Sequence, residues 1–192
     1  MAKLAALLAD LQSGDAARAE AAALALPEHG TEGLAALNRL LDGPQADTRW
    51  WAARCLAEIN AEGVAALLEK ALADTDSSVQ AAAALSVRKN PIPEAVSPLV
   101  GLLAGEDQML ARLAGDALVA IGEPATLELI DVLENGGQQA QVGAARALAQ
   151  IGDLRSVSAL FKLLDSDSAM LEHWASEGLE KMGIGMTFFG MP

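Results

Sequence analysis

Three tryptophans are the side chains of this sequence best suited to recognition chemistry. Trp50, Trp51 and Trp174 are the only tryptophans in a chain with 3% aromatic residues and no tyrosine. Indole rings often supply the energetic anchors of protein interfaces, and exposed apolar patches commonly mark interaction sites. The tryptophans therefore favour a binding function, if the elements that carry them expose the rings.

Arg54, Arg112 and Arg146 are the cationic candidates for the same surface. Guanidinium groups bind carboxylates through paired hydrogen bonds, so these arginines could form a positive line that receives an acidic partner. The alternative is that each pairs with a carboxylate of this chain, for which Glu58, Asp116 and Glu177 are suitably spaced. Such surface pairs contribute about 0–1 kcal/mol.

The sequence offers little for catalysis. Cys55 stands inside a predicted helix where two later units carry Ala117 and Ala147, which favours a buried apolar role over a nucleophile. His29 and His173 are 144 residues apart, and no Gly-rich phosphate loop or metal-ligand spacing is present. We expect no enzyme activity, no cofactor and no metal.

Net charge and composition limit the classes of partner that this chain is expected to bind. The net charge is −13, which disfavours nucleic acid because Lys and Arg supply most of that affinity. No apolar run reaches the ~18 residues of a membrane span, and the N-terminal apolar stretch ends too early at Asp10 for a signal peptide. We expect a cytoplasmic protein that binds neither nucleic acid nor membranes.

One pattern recurs along the chain at intervals of 30 or 31 residues. It aligns Ala21, Ala52, Ala83, Ala114, Ala144 and Ala175. A fixed period of this size indicates stacked copies of a supersecondary unit, and the Ala- and Leu-rich composition favours helices. The sequence predicts an all-α superhelix of about six two-helix units, with approximate bounds 1–30, 31–60, 61–91, 92–123, 124–153 and 154–183.

Local signals refine this prediction. Asp47 is expected to cap a helix beginning at Thr48, while Arg18 and Arg49 are expected to tie second helices to acidic turns. An apolar segment, 184–192, follows the repeats and contains Met186, Phe188, Phe189 and Met191. It could cap the last unit or dock on a second copy or another protein.

The repeat resembles a known family. Ala144-Ala145-Arg146-Ala147-Leu148-Ala149-Gln150-Ile151-Gly152 is similar to the second helix of HEAT-like repeats, and residues 115–122 form a close second copy. The short period is typical of the compact class known from bilin lyase subunits, not of the 40–47-residue HEAT and armadillo units. The resemblance implies that second helices line a concave surface.

That surface supplies the predicted binding residues. They are the positions of the second helices that helical spacing places away from the core. All three tryptophans fall among them. The predicted binding residues are Trp50, Trp51, Arg54, Met109, Arg112, Leu113, Asp116, Val142, Arg146, Met170, His173, Trp174 and Glu177. Two adjacent large rings cannot both point inward, so we expect Trp50 and Trp51 at the surface, whereas Trp174 could equally cover the end of the core.

Two functions remain open at this point. The first is a protein-binding scaffold or adaptor that clasps a partner segment carrying acidic groups. The second, implied by the resemblance, is an accessory subunit of a cofactor-handling enzyme that holds a linear tetrapyrrole with its propionates on the arginines. A DNA-repair enzyme is disfavoured by the charge.

Overall fold

A computed structural model describes residues 2–184, so most of the predicted tail at 184–192 lies outside the described residues. Within 2–184 the chain forms twelve α-helices, turns and short 3₁₀ segments, with no strand. The helices are α1 (Ala2–Leu11), α2 (Ala16–Ala25), α3 (Gly30–Leu41), α4 (Ala46–Leu56), α5 (Val64–Leu72), α6 (Ser77–Lys89), α7 (Val96–Leu103), α8 (Gln108–Ile121), α9 (Thr126–Asn135), α10 (Gln138–Ile151), α11 (Val157–Leu163) and α12 (Ala169–Lys181). The predicted fold class, an all-α superhelix of about six helix pairs, is confirmed.

The helices alternate in role along the chain. Odd-numbered helices are the first members of the pairs, and even-numbered helices are the second helices that carry the repeated alanines. The chain divides into two compact units after Pro98, inside α7. In the first unit α4 packs extensively on α6, and in the second α10 packs on α8 and α12.

Acidic caps start several of the second helices. Asp15, Asp76 and Asp107 each accept backbone N–H groups from the first turn that follows them. The prediction for Asp47 is wrong, because α4 begins at Ala46 and Asp47 therefore lies inside its first turn. Among residues 2–184 the Asp47 carboxylate has no hydrogen-bond or ion-pair partner.

Two arginines near the starts of second helices are structural, as predicted. Arg49 donates to both oxygens of Asp74 at 2.7 and 2.9 Å, and also to the carbonyl of Gly43 at 3.1 Å. This bonding ties α4 to the turn after α5. Arg18 also holds its helix to the preceding one, but its partner is Asp10 in the last turn of α1 and not the acidic turn that was expected.

Small residues let neighbouring second helices approach closely. The Ser86 hydroxyl of α6 donates to the Ala53 carbonyl of α4 at 2.9 Å, with both residues buried. In the other unit, a Cβ added to Gly178 of α12 would lie 2.9 Å from the Cα of Ala149 in α10. Helices this close exclude larger side chains from the contact.

Gly178→Ala should therefore destabilise the protein. The new methyl group meets backbone that cannot move aside cheaply, and we expect a loss of about 1–3 kcal/mol despite the better helix propensity of Ala. Gly101→Ala is the matched control, because nothing lies within 4 Å of a Cβ at that helical glycine; it should gain about 0.5–1 kcal/mol. Urea denaturation measures both, and a gain in both variants would contradict the close contact.

The Arg49–Asp74 pair predicts a pH-dependent contribution to stability. The hydrogen bond from Arg49 holds the pKa of Asp74 below its ordinary value. The stabilisation that the Arg49–Asp74 pair provides is therefore complete above the pKa of Asp74 in the unfolded chain, which is about 3.9. It is lost as the pH falls through the lower pKa of Asp74 in the folded protein.

Asp74→Asn should lower the free energy of unfolding at pH 7 by about 1–3 kcal/mol, and its difference from wild type should shrink below pH ~4. Asp42→Asn is the control, because Asp42 pairs with Lys70 but keeps 65% of its side chain exposed. It should lose no more than about 1 kcal/mol. Equal losses in the two variants, measured by denaturation at both pH values, would refute the assigned role.

Candidate functional site

The residues predicted for the second-helix surface differ in exposure. Exposed side chains are Met109, Arg112, Met170, His173 and Glu177, with Met109 71% and Met170 51% accessible. Partly buried side chains are Trp50, Arg54, Leu113, Asp116, Val142, Arg146 and Trp174. Trp51 is buried.

Trp51 corrects the expectation that both adjacent indoles lie at the surface. It is 9% exposed, and the equivalent residue of the next second helix, Ala82, is 2% exposed. Successive residues of a helix point about 100° apart, so one ring can be buried while its neighbour stays partly exposed. The two rings meet nearly at right angles, with centroids 4.8 Å apart and an interplanar angle of 87°.

The second unit contains an open cleft of about 360 Å³, which we call the groove. Residues from α7, α8, α10 and α12 line it, and its walls are mainly apolar. The lining residues are Leu103, Gln108, Ala111, Arg112, Gln139, Val142, Gly143, Arg146, Met170 and Trp174. Met109, Leu113, Asp116, His173 and Glu177, although predicted for this surface, do not line the groove.

Sequence reasoning missed the contribution of Leu103, which belongs to a first helix. A Cβ at Gly143 would lie 2.7 Å from the Leu103 Cδ1 atom, so the glycine makes room for this side chain. The signal was a glycine at a position where the sibling helices carry Trp51, Leu113 and Trp174.

Polar groups in the groove are unevenly engaged. Arg146 donates to the Asp116 carboxylate at 2.7 Å and to the Arg112 carbonyl at 3.3 Å. The exposed guanidinium of Arg112 has no partner among residues 2–184. The Trp174 Nε1 atom is buried and has no acceptor within the same range. The groove thus offers one uncommitted cation, whereas the unsatisfied N–H of Trp174 is closed off from solvent.

The first unit contains a second cleft, of about 430 Å³, which we call the tryptophan pocket. Trp50 and Trp51 line it together with Asp47. The remaining lining residues come from the start of α2 and of α6: Gly14, Ala16 and Ser78.

Arg54 does not line the tryptophan pocket. It binds Glu58 at 2.9 Å and Glu20 at 2.6 Å. Since Arg146 is also paired, only Arg112 of the three predicted arginines keeps a free guanidinium within the described range. The alternative in which these arginines pair with carboxylates of the chain is the one that the structure adopts for Arg54 and Arg146.

Cys55 is fully buried, and this burial raises the pKa of its thiol to about 12. A thiol with so high a pKa is protonated at neutral pH and is a poor nucleophile. Between residues 2 and 184 no three His, Cys, Asp or Glu side chains are grouped so that they could hold a metal ion. In that same range, every helix is too short or too polar to cross a bilayer.

Two family models match the chain, one in each unit. The model described as HEAT repeats matches residues 3–88, and the PBS lyase HEAT-like repeat matches residues 140–166. The second match includes Val142 and Arg146 of the groove. Among curated proteins, none matches.

Solved structures resemble this chain over most of its length. An engineered protein is 26% identical with a TM-score of 0.55, the alignment covering 96% of this chain and 98% of that one. The complex of CpcE and CpcF of phycocyanin lyase from Nostoc sp. PCC7120 is also 26% identical with a TM-score of 0.55, covering 92% of this chain and 76% of that one.

A designed armadillo repeat protein in complex with the peptide (KR)4 shares the fold at 21% identity, with a TM-score of 0.53 and coverage of 92% and 98%. Repeat-family matches in both units, the helix pairs with their recurring small residues, and these structural likenesses agree. The chain is a HEAT-like repeat protein.

Proposed function

We propose that this chain is a non-catalytic binding scaffold, or adaptor, whose groove holds a segment of a protein partner. The observation that carries the proposal is the groove itself. Apolar side chains from four helices meet there beside the free guanidinium of Arg112.

The size and lining of the groove suit a recognition site. Ligand pockets commonly measure about 300–1,000 Å³ and are mostly apolar with a few polar groups that fix orientation. Met170 and Trp174 are of the residue types enriched in interface cores, as is Arg112. Met170 is half-exposed in the free protein, and its burial against a partner would remove apolar surface from water.

The polar groups define the chemistry of the partner segment. The Arg112 guanidinium is the charged group of the groove that has no partner among residues 2–184. It would bind a carboxylate through paired hydrogen bonds. The expected segment therefore places an acidic residue beside apolar side chains.

The comparisons support a protein as partner. The lyase structure that resembles this chain is a complex of CpcE with CpcF, which is an assembly of two protein subunits. The protonated, buried thiol of Cys55 supports a role without nucleophilic catalysis.

A second candidate follows from the repeat match at residues 140–166. This chain would then be an accessory subunit of a cofactor-handling enzyme, and the groove would hold a linear tetrapyrrole. The match to the PBS lyase HEAT-like repeat includes Val142 and Arg146, which line the groove. The tetrapyrrole rings would lie on the apolar walls and a propionate on Arg112.

Peptides selected from a random library against the full-length chain should combine aromatic or aliphatic residues with Asp or Glu. Met170→Glu and Arg112→Glu should each weaken the selected peptides about tenfold or more, because each change places a negative charge beside the bound carboxylate. Fluorescence anisotropy of labelled peptides measures the affinity.

Two matched controls accompany these variants. Leu127→Glu replaces another exposed apolar residue of the second unit, outside the groove, and Arg88→Glu reverses an exposed arginine elsewhere. Both should leave the affinity unchanged. Equal weakening by groove and control variants would place the binding surface elsewhere.

Biliverdin, a linear tetrapyrrole, separates the two candidates. The scaffold proposal predicts that added biliverdin neither changes its absorption spectrum with the protein nor displaces a bound peptide. A saturable spectral change that Arg112→Glu abolishes and Arg88→Glu preserves would instead support the accessory-subunit function.

A further inference from the structure

The tryptophan pocket differs from the groove in its charge. Its single ionisable lining residue is Asp47, whose carboxylate is exposed and has no partner among residues 2–184. Asp47, Trp50 and Trp51 lie three and four residues apart on α4, so they share one face of that helix. The pocket therefore places a free carboxylate beside two indole rings.

The surrounding carboxylates reinforce this negative potential. Asp15 lies between the lining residues Gly14 and Ala16, and Asp76 lies two residues before Ser78. The N-termini of α2, α4 and α6 oppose these charges with about half a positive charge each. Asp15 and Asp76 already cap α2 and α6, so the uncommitted carboxylate of Asp47 is the charge that the pocket presents to a ligand.

Neighbouring arginines do not neutralise the pocket. Arg18 binds Asp10, Arg49 binds Asp74, and Arg54 binds Glu20 and Glu58. None of the three lines the pocket. The Ser78 hydroxyl is already bonded to Asp76, which leaves Asp47 and the rings as the groups free to receive a ligand.

We propose that the tryptophan pocket binds an arginine side chain presented by a protein partner. A guanidinium stacks on an indole face, where cation–π attraction is best for Trp, and its planar fork of N–H donors matches a carboxylate. The Asp47 carboxylate accepts hydrogen bonds from the guanidinium N–H groups. Trp50 and Trp51 contact the plane of the guanidinium and the aliphatic part of the arginine side chain. This site lies in the other unit from the groove and takes the opposite charge, so it stands independently of the function proposed for the groove.

The experiment uses the full-length chain labelled with ¹⁵N and follows the indole N–H signals of the three tryptophans. The probe is N-acetyl-L-arginine amide, and N-acetyl-L-citrulline amide is its neutral isostere. Single Trp→Phe variants assign the signals. The arginine probe should shift the Trp50 and Trp51 signals saturably and leave Trp174 unchanged, whereas the citrulline probe should shift none of them.

Asp47→Asn should weaken the arginine probe about two- to fivefold, because it removes one exposed ion pair. Glu62→Gln is the matched control, since it neutralises an exposed carboxylate of the same unit outside the pocket. It should leave the affinity unchanged. Asp47 caps nothing, so the fold of its variant, checked by circular dichroism, should be intact.

Three outcomes would overturn the proposal. These are equal shifts with arginine and citrulline probes, equal weakening by Asp47→Asn and Glu62→Gln, and shifts confined to Trp174. Tighter binding of N-acetyl-L-lysine amide than of the arginine probe would overturn the assignment to a guanidinium.

Discussion

Close contact between consecutive second helices is the constraint on which the other features of this structure depend. Ser86 bonds to the Ala53 carbonyl in one unit, and Gly178 leaves no space for a methyl group against Ala149 in the other. Interiors are packed to near-crystalline density, so such contacts admit only small side chains. Large side chains of the second helices are buried outside these contacts, as Leu118 and Leu148 are, or lie at the margins of the contacts.

The clefts arise at these margins. Glycine at position 143 admits Leu103 between helices and opens the groove to Trp174 and Met170. On α4, Trp51 is mostly buried while Trp50 remains partly exposed, and both line the tryptophan pocket. The same small-residue packing therefore stabilises the repeat and leaves apolar surface available to partners.

Ion pairing within each unit decides what charge each cleft retains. Arg146 is neutralised by Asp116 and Arg54 by Glu20 and Glu58, so neither can be offered to a partner without breaking an existing pair. Arg112 in the groove and Asp47 in the tryptophan pocket are uncommitted within the described residues. Although the chain carries a net charge of −13, its two clefts thus retain uncommitted charges of opposite sign.

The fold was predictable from the sequence, whereas the composition of the clefts was only partly so. The spacing of Ala52, Ala83 and their equivalents repeats because each helix pair packs on the next through small residues at the same positions. Arg49 bonds to an acidic turn, as expected. The burial of Trp51 was missed because the phase of a helix face, judged from periodicity, is uncertain by one residue. Leu103 was missed because its place in the groove depends on contact between helices that are distant in sequence.

Site-specific photo-crosslinking tests the central claim most directly. A benzophenone amino acid would replace Met170 in the groove or, in a separate protein, the exposed Leu127 on α9 outside it. A bound peptide should be cross-linked efficiently from position 170 and not from position 127. Efficient cross-linking from 127, with none from 170, would contradict the assignment of the groove as the binding surface.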